Sequence, residues 1–249
     1  MHHATPDIPS AWTGSSPLMD LDDPMLRLRV LALTQLQPTA RRQAMALHAF
    51  VKGMPLHRAM KSRLRRASEV LRAGSGDAAD KATLLVAMLR IAGLPARMRF
   101  LSLRSPILRG LGIALLQPAR PLVEVWLDRR WVRTDCYIFD AHYMAAARQR
   151  LKHECAEYGW GIHVQAAPVW DGQADAFLSA RPPDRDPMVA QDLGCHHDPG
   201  GFLAAQARSG SRRWRARLLQ WNLMTPRLQG RLQAVRDGRG LPPPQACPP

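Results

Sequence analysis

The side chains of this sequence that can act as nucleophile or proton shuttle near neutral pH are few: four cysteines, at 136, 155, 195 and 247, and nine histidines. No histidine occurs between His57 and His142. The densest cluster is Cys195-His196-His197-Asp198, which sets thiol, imidazole and carboxylate side by side, all of them metal-ligand types. Consecutive residues seldom converge on one ion, and no second ligand pair stands at a familiar spacing. The run therefore reads as a polar loop ahead of a C-terminal helix, and neither a metal nor another cofactor is expected. Cys155, with His153, reads as part of an ordinary connecting segment.

A different stretch has the layout of a reactive site without its reactive group. Residues 74–97 read GSGDAADKATLLVAMLRIAGLPAR. A glycine turn leads into Asp77, a good N-cap, and Asp80 three positions on is a shorter stand-in for the capping-box glutamate. Ala78, Ala82, Leu85, Val86 and Leu89 then form an apolar helical stripe, which Gly93 and Pro95 end. The first turn of such a helix lies in a field that favours thiolate over thiol, which suits a cysteine nucleophile. The residue standing there is Ala78.

Positioning that helix is the work of the surrounding elements. A chain of 249 residues with 46% hydrophobic content can bury a sizeable core in one domain with an appendage. No apolar run approaches the ~20 residues of a membrane span. The start MHHATPDIPSAW lacks the basic and apolar regions of a secretory signal, and no repeat of ~20 to 50 residues appears. Residues 1–19, rich in Pro, Ser and Thr, read as poorly ordered. Amphipathic spacing predicts helices over 41–52, through Ala44, Leu47, His48 and Val51, and over 56–72, through Met60, Leu64, Ala67, Val70 and Leu71. Residues 96–103, 122–127 (LVEVWL) and 131–134 (WVRT) read as strands, the last two joined by a short turn at 128–130. Residues 181–200, with four prolines, read as a loop. Helical spacing returns over 201–237, interrupted at Pro226, and the tail 238–249 reads as disordered.

Three pieces in this order resemble the transglutaminase-like domains of the papain-like cysteine hydrolase superfamily. They are the glycine turn and helix ending in GLPAR, the strand pair in ARPLVEVWLDRRWVRTD, and the acid Asp135 that closes the second strand. The segments PLMDLDDP, SEVL, YGWGIH and WDG extend the likeness to a bacterial branch of such proteins, over residues 16–237. The resemblance implies an α+β core at 20–180, helices packed on an antiparallel sheet, with a basic helical extension. It also implies a Cys-His-Asp triad, whose positions fall on Ala78, Arg120 and Asp135, with Asp77 where this branch commonly has glutamine.

Acyl transfer by this superfamily uses a thiolate, an imidazole that shuttles the proton and an acid that orients it. Ala78 offers no nucleophile, and a guanidinium such as Arg120 cannot shuttle a proton near neutral pH. The expectation is a pseudoenzyme, a binding or scaffold protein for an unknown protein or peptide partner, with no membrane. Two alternatives stay open. The first is an active acyltransferase or cysteine hydrolase with a relocated nucleophile. Cys136 follows Asp135, and adjacent strand residues face opposite ways, so its thiol should point away from the groove; His142 or His163 would have to arrive from later loops. The second is a basic nucleic-acid binder. Net charge is +15, and residues 201–249 carry nine arginines against one acid, Asp237. Interleaved with Trp214 and Trp221 these arginines can hold phosphates and stack on bases. Packing of Trp214, Leu218 and Trp221 on the core, with the arginines solvated, is the reading we favour. Cysteines without CxxC spacing suit free thiols in a reducing cytoplasm.

Overall fold

The structure is a computed structural model that describes residues 8–57, 63–113, 119–208 and 214–239, the side chains of 214–224 excepted. In chain order its helices are α1 (Pro24–Thr34), α2 (Ala40–Gly53), α3 (Ala67–Ala73), α4 (Ala78–Ile91), α5 (Ala141–His153), α6 (Pro199–Arg208) and α7 (Trp214–Arg236). Its strands are β1 (Ala96–Leu103), β2 (Ala119–Leu127), β3 (Arg130–Thr134), β4 (Tyr158–Gly159), β5 (Ile162–His163) and β6 (Val189–His196).

The predicted central helix is α4, and it is capped as its sequence requires: the Asp77 carboxylate accepts from the Asp80 N–H, and the Asp80 carboxylate accepts from the Asp77 N–H. Every residue from Asp80 to Arg90 is buried, so neighbours enclose α4 on all sides. One side packs on a four-stranded antiparallel sheet of order β3-β2-β1-β6, and α1, α2 and α3 cover the other. This is the expected α+β arrangement. The β2–β3 hairpin turns at Asp128 and Arg129, both at positive φ (48° and 64°), the backbone that a two-residue hairpin turn needs to match strand twist. Gly76 is required by close approach: a Cβ there would stand 2.6 Å from the Asp80 Cβ.

Several expectations give way. Among the described residues, the helix predicted over 56–72 is seen as α3, because Leu56 bridges instead to Gly76 and Glu69 fixes the helix start by accepting the Arg66 N–H at 2.8 Å. Met60 lies outside the described residues. Within the segment read as poorly ordered, Pro9–Trp12 form a 3-10 helix. Trp12 is fully buried and stacks on His197 at 4.5 Å, while Arg90 holds the Gly14 carbonyl at 2.6 Å. The loop predicted over 181–200 contains β6, since no proline stands between Pro187 and Pro199 and the eight residues of the strand keep free backbone donors to pair with β1. Pro226 does not interrupt α7. Helices α1 and α5 were not legible, although each starts at an aspartate cap, Asp23 and Asp140.

The C-terminal half of α7 is docked, not solvated all round. Leu228, Leu232 and Val235 are buried, and Arg236 pairs with Asp140 at 2.5 Å. The side chains of Trp214, Leu218 and Trp221 and the tail from 240, with Cys247, lie outside the described residues. Cys136 and Cys195 are free, whereas Cys155 is disulfide-bonded, so it does not belong with the free thiols expected from the spacing.

Candidate functional site

Ala78 is the first residue of α4, at the positive end of the helix, and it faces the start of β2. There the second strand residue, Arg120, stands opposite Leu101 of β1 and is buried with 6% exposure. Its guanidinium is held on two sides. It donates to the Asp135 carboxylate at 3.1 Å and to the Gly161 carbonyl at 3.0 Å. Asp135, just past the end of β3, is 2% exposed and also accepts the Leu178 N–H at 2.7 Å. Burial pushes the Asp135 carboxyl up, against the pull of Arg120 and of the Leu178 amide.

Gly161 belongs to the YGWGIH motif, which forms the β4–β5 hairpin. The Trp160 and Gly161 amides donate to the carbonyls of Arg109 and Ile107 at 2.7 and 2.8 Å, so the hairpin is tied to the segment after β1. Gly161 has φ 86°, and a Cβ there would stand 2.6 Å from Phe139, so this corner takes no side chain.

Asp77, Ala78 and Arg120 line one pocket of about 160 Å³, whose remaining wall is hydrocarbon from Leu108, Ile113, Phe139 and others. Leu228 and Leu232 of α7 complete it. The four residues singled out in the sequence are thus gathered at one place, three in the pocket wall and Asp135 held by Arg120.

Residues 30–136 match the family model of the transglutaminase-like superfamily. The chain carries a transglutaminase-like domain. A solved structure described as that of a candidate cysteine protease from Cytophaga hutchinsonii is similar over 80% of this chain, with 12% sequence identity and a TM-score of 0.47. The chain spans about half (52%) of that protein's resolved length. No curated protein matches the sequence.

Among the described residues, the other cysteines and histidines singled out in the sequence do not line the pocket. Cys136 is fully buried, its sulfur 3.2 Å from Thr134 Oγ1 and 3.4 Å from His48 Nε2. Beyond it, His142 meets the Arg236 carbonyl at 3.1 Å, and His163 Nδ1 accepts the Gln165 N–H at 2.9 Å. The run from 195 to 198 disperses. Cys195 faces Glu124, His196 meets the Leu193 carbonyl, His197 stacks on Trp12, and Asp198 accepts the Gly201 N–H in the first turn of α6. Among the described residues no group of three or more His, Cys, Asp or Glu is placed to hold a metal ion.

Two buried lysines were missed by the sequence reading. Lys81 Nζ donates to the carbonyls of Met54 and Ile138 at 2.7 and 2.9 Å, and Lys52 Nζ donates to those of Cys136 and Phe139 at 2.6 and 2.9 Å. Together they pin the segment 136–139 that forms part of the pocket wall. The signal was present: Lys81 lies four residues before Leu85 and seven before Met88, on a side of α4 that is otherwise apolar.

Proposed function

We propose that this protein is a transglutaminase-like pseudoenzyme, a binding or scaffold protein that retains the family groove and lacks its acyl-transfer chemistry. One observation carries the reading: Ala78 and Arg120, which stand where the resemblance puts thiol and imidazole, share one pocket wall, and Arg120 is locked to Asp135 and Gly161. A methyl group cannot attack a carbonyl, and a guanidinium that donates to a carboxylate cannot take up a proton. The partner in this proposal is a protein or peptide. Docking of Leu228, Leu232 and Val235 favours a structural role for α7 over nucleic-acid binding.

The relocated-nucleophile alternative loses support from the thiols themselves. Burial pushes the Cys136 thiol up to about 11 and the Cys195 thiol up to about 12, away from thiolate, and Cys155 is in a disulfide. No helix of the described residues is long and apolar enough to cross a membrane. A cytoplasmic setting belongs to the proposal and is favoured by the free thiols of Cys136 and Cys195; the disulfide at Cys155 argues against it.

Purified protein should show no transamidation, deamidation or peptidase turnover above a buffer control. Turnover that disappears on replacing Cys136 or Cys195 by alanine would overturn the reading in favour of a relocated nucleophile.

A further inference from the structure

The pocket beside Ala78 is large for a void and apolar for a catalytic groove. At about 160 Å³ it exceeds many times the space one water needs, roughly 10–15 Å³ on the same kind of measure. Its two charged side chains are already engaged. Arg120 donates to Asp135 and to the Gly161 carbonyl, and the Asp77 carboxylate accepts from the Asp80 N–H. What faces the space is hydrocarbon: Ala78 on one side, Leu108 and Ile113 on a second, Leu228 and Leu232 of α7 on a third. Water in such a space finds few partners, and voids of about 150 Å³ lined by Leu, Ile and Phe stay dry and accept a benzene-sized guest.

We propose that this pocket is a binding site for one small, uncharged, largely hydrocarbon molecule of the size of a substituted benzene ring. The inference rests on the non-catalytic reading and names what the groove holds. Size limits how deep a guest can sit, because the start of α4 and of β2 closes the wall behind it. Charge sets its class. A charged guest of either sign would give up its water for a wall that is mostly hydrocarbon, and the guanidinium in that wall is already paired with Asp135. Access is available because the pocket is partly open. Its α7 wall is held in place from both sides of Leu232. Arg231 donates to the Gly110 carbonyl at 2.7 Å, and Arg236 pairs with Asp140.

The test uses the full chain with toluene and, as the charged probe of equal size, benzoate. Toluene near saturation should raise the thermal midpoint by about 2–4 °C, through preferential binding to the folded state, and should shift the methyl resonances of Ile113, Leu228 and Leu232. Benzoate at the same concentration should do neither. Ile113→Phe and Leu232→Phe each fill the pocket from a different wall, and whichever variant folds should lose the toluene response. Absence of any toluene effect on the wild type overturns the proposal, as does an equal effect in a folded filled variant or a benzoate response as large as that of toluene. Turnover assays separate the two readings. Acyl-transfer activity with toluene binding intact would remove the non-catalytic reading alone, whereas absent turnover with absent toluene binding would remove this inference alone.

Discussion

The pocket at Ala78 and the buried pair at His48 and Cys136 share the segment 136–139 and fail as catalytic sites for opposite reasons. The pocket has the position: a helix N-terminus, an acid, a partly open groove and a buried group on β2. It has no atom that can attack. The pair has the atoms, a thiol and an imidazole 3.4 Å apart, and is sealed, with Cys136 at 0% and His48 at 2% exposure. Burial pushes the thiol up to about 11, and burial with the charges of Lys52 and Lys81 pulls the imidazole down to about 3. An activated pair needs the reverse, a lowered thiol beside an imidazole that can hold a proton. Contact distance between the right residue types is thus no guide to reactivity without access and local charge.

The largest effect should come from breaking the pocket's ion pair. Arg120→Met leaves the Asp135 carboxylate buried without its partner, and removing one member of a buried pair costs about 3–5 kcal/mol. His48→Phe, in the sealed pair, removes no cation from a buried carboxylate and should cost less. Urea unfolding of the two variants measures the difference, and the double variant Arg120→Met with Asp135→Leu should recover much of the loss. Equal costs for Arg120→Met and His48→Phe would erase the contrast between the two regions.

A second variant moves the missing atom to the good position. Ala78→Cys places a thiol at the positive end of α4 beside Arg120, where the thiolate is favoured. Iodoacetamide at pH 7 should modify it at least about 100-fold faster than Cys136, since a thiol pushed up to about 11 is almost entirely protonated at that pH. Peptide mapping after timed quenching gives both rates in one sample. Comparable rates would mean that the field at the start of α4 does not reach the pocket.

How much of this was legible depended on whether the signal was local. The start of α4 was, because glycine turn, aspartate cap and Asp80 are consecutive, and the strand pair at 122–134 was, because its alternation and turn are contiguous. The placement of Arg120 and Asp135 came from a resemblance in the order of motifs, not from spacing. Strand β6 was hidden because its pairing with β1 joins residues far apart in the chain, as in Met98 with His196, while nearby prolines dominate the local composition. The docking of α7 was visible only as helical spacing. Nothing in a basic helix says which groove its Leu228 and Leu232 will close.

The smallest effect sharpens the comparison through Lys81, which lies beneath both regions. Its ammonium is fully buried and faces the carbonyls of Met54 and Ile138, with Lys52, Arg236, Asp140 and Cys136 as the charged or titratable neighbours. Burial, opposed by Asp140, pulls its pKa down from 10.5 to about 7. The unfolded chain therefore binds more protons than the folded one between about pH 7 and 10.5, and stability from this group rises with pH across that window. Below about pH 7 both states are protonated and the burial penalty is carried in full. Other groups titrate here with the opposite sign, Cys136 among them, so the wild-type profile alone is not diagnostic. The difference between wild type and Lys81→Met isolates the term. Relative to the variant, wild-type stability should climb from pH 7 to 9.5 with a slope of at most about 1.4 kcal/mol per pH unit. A flat difference would show that hydrogen bonds to the two carbonyls keep Lys81 charged throughout, and the imidazole of His48, depressed first by its own burial, would then also face a permanent neighbouring charge.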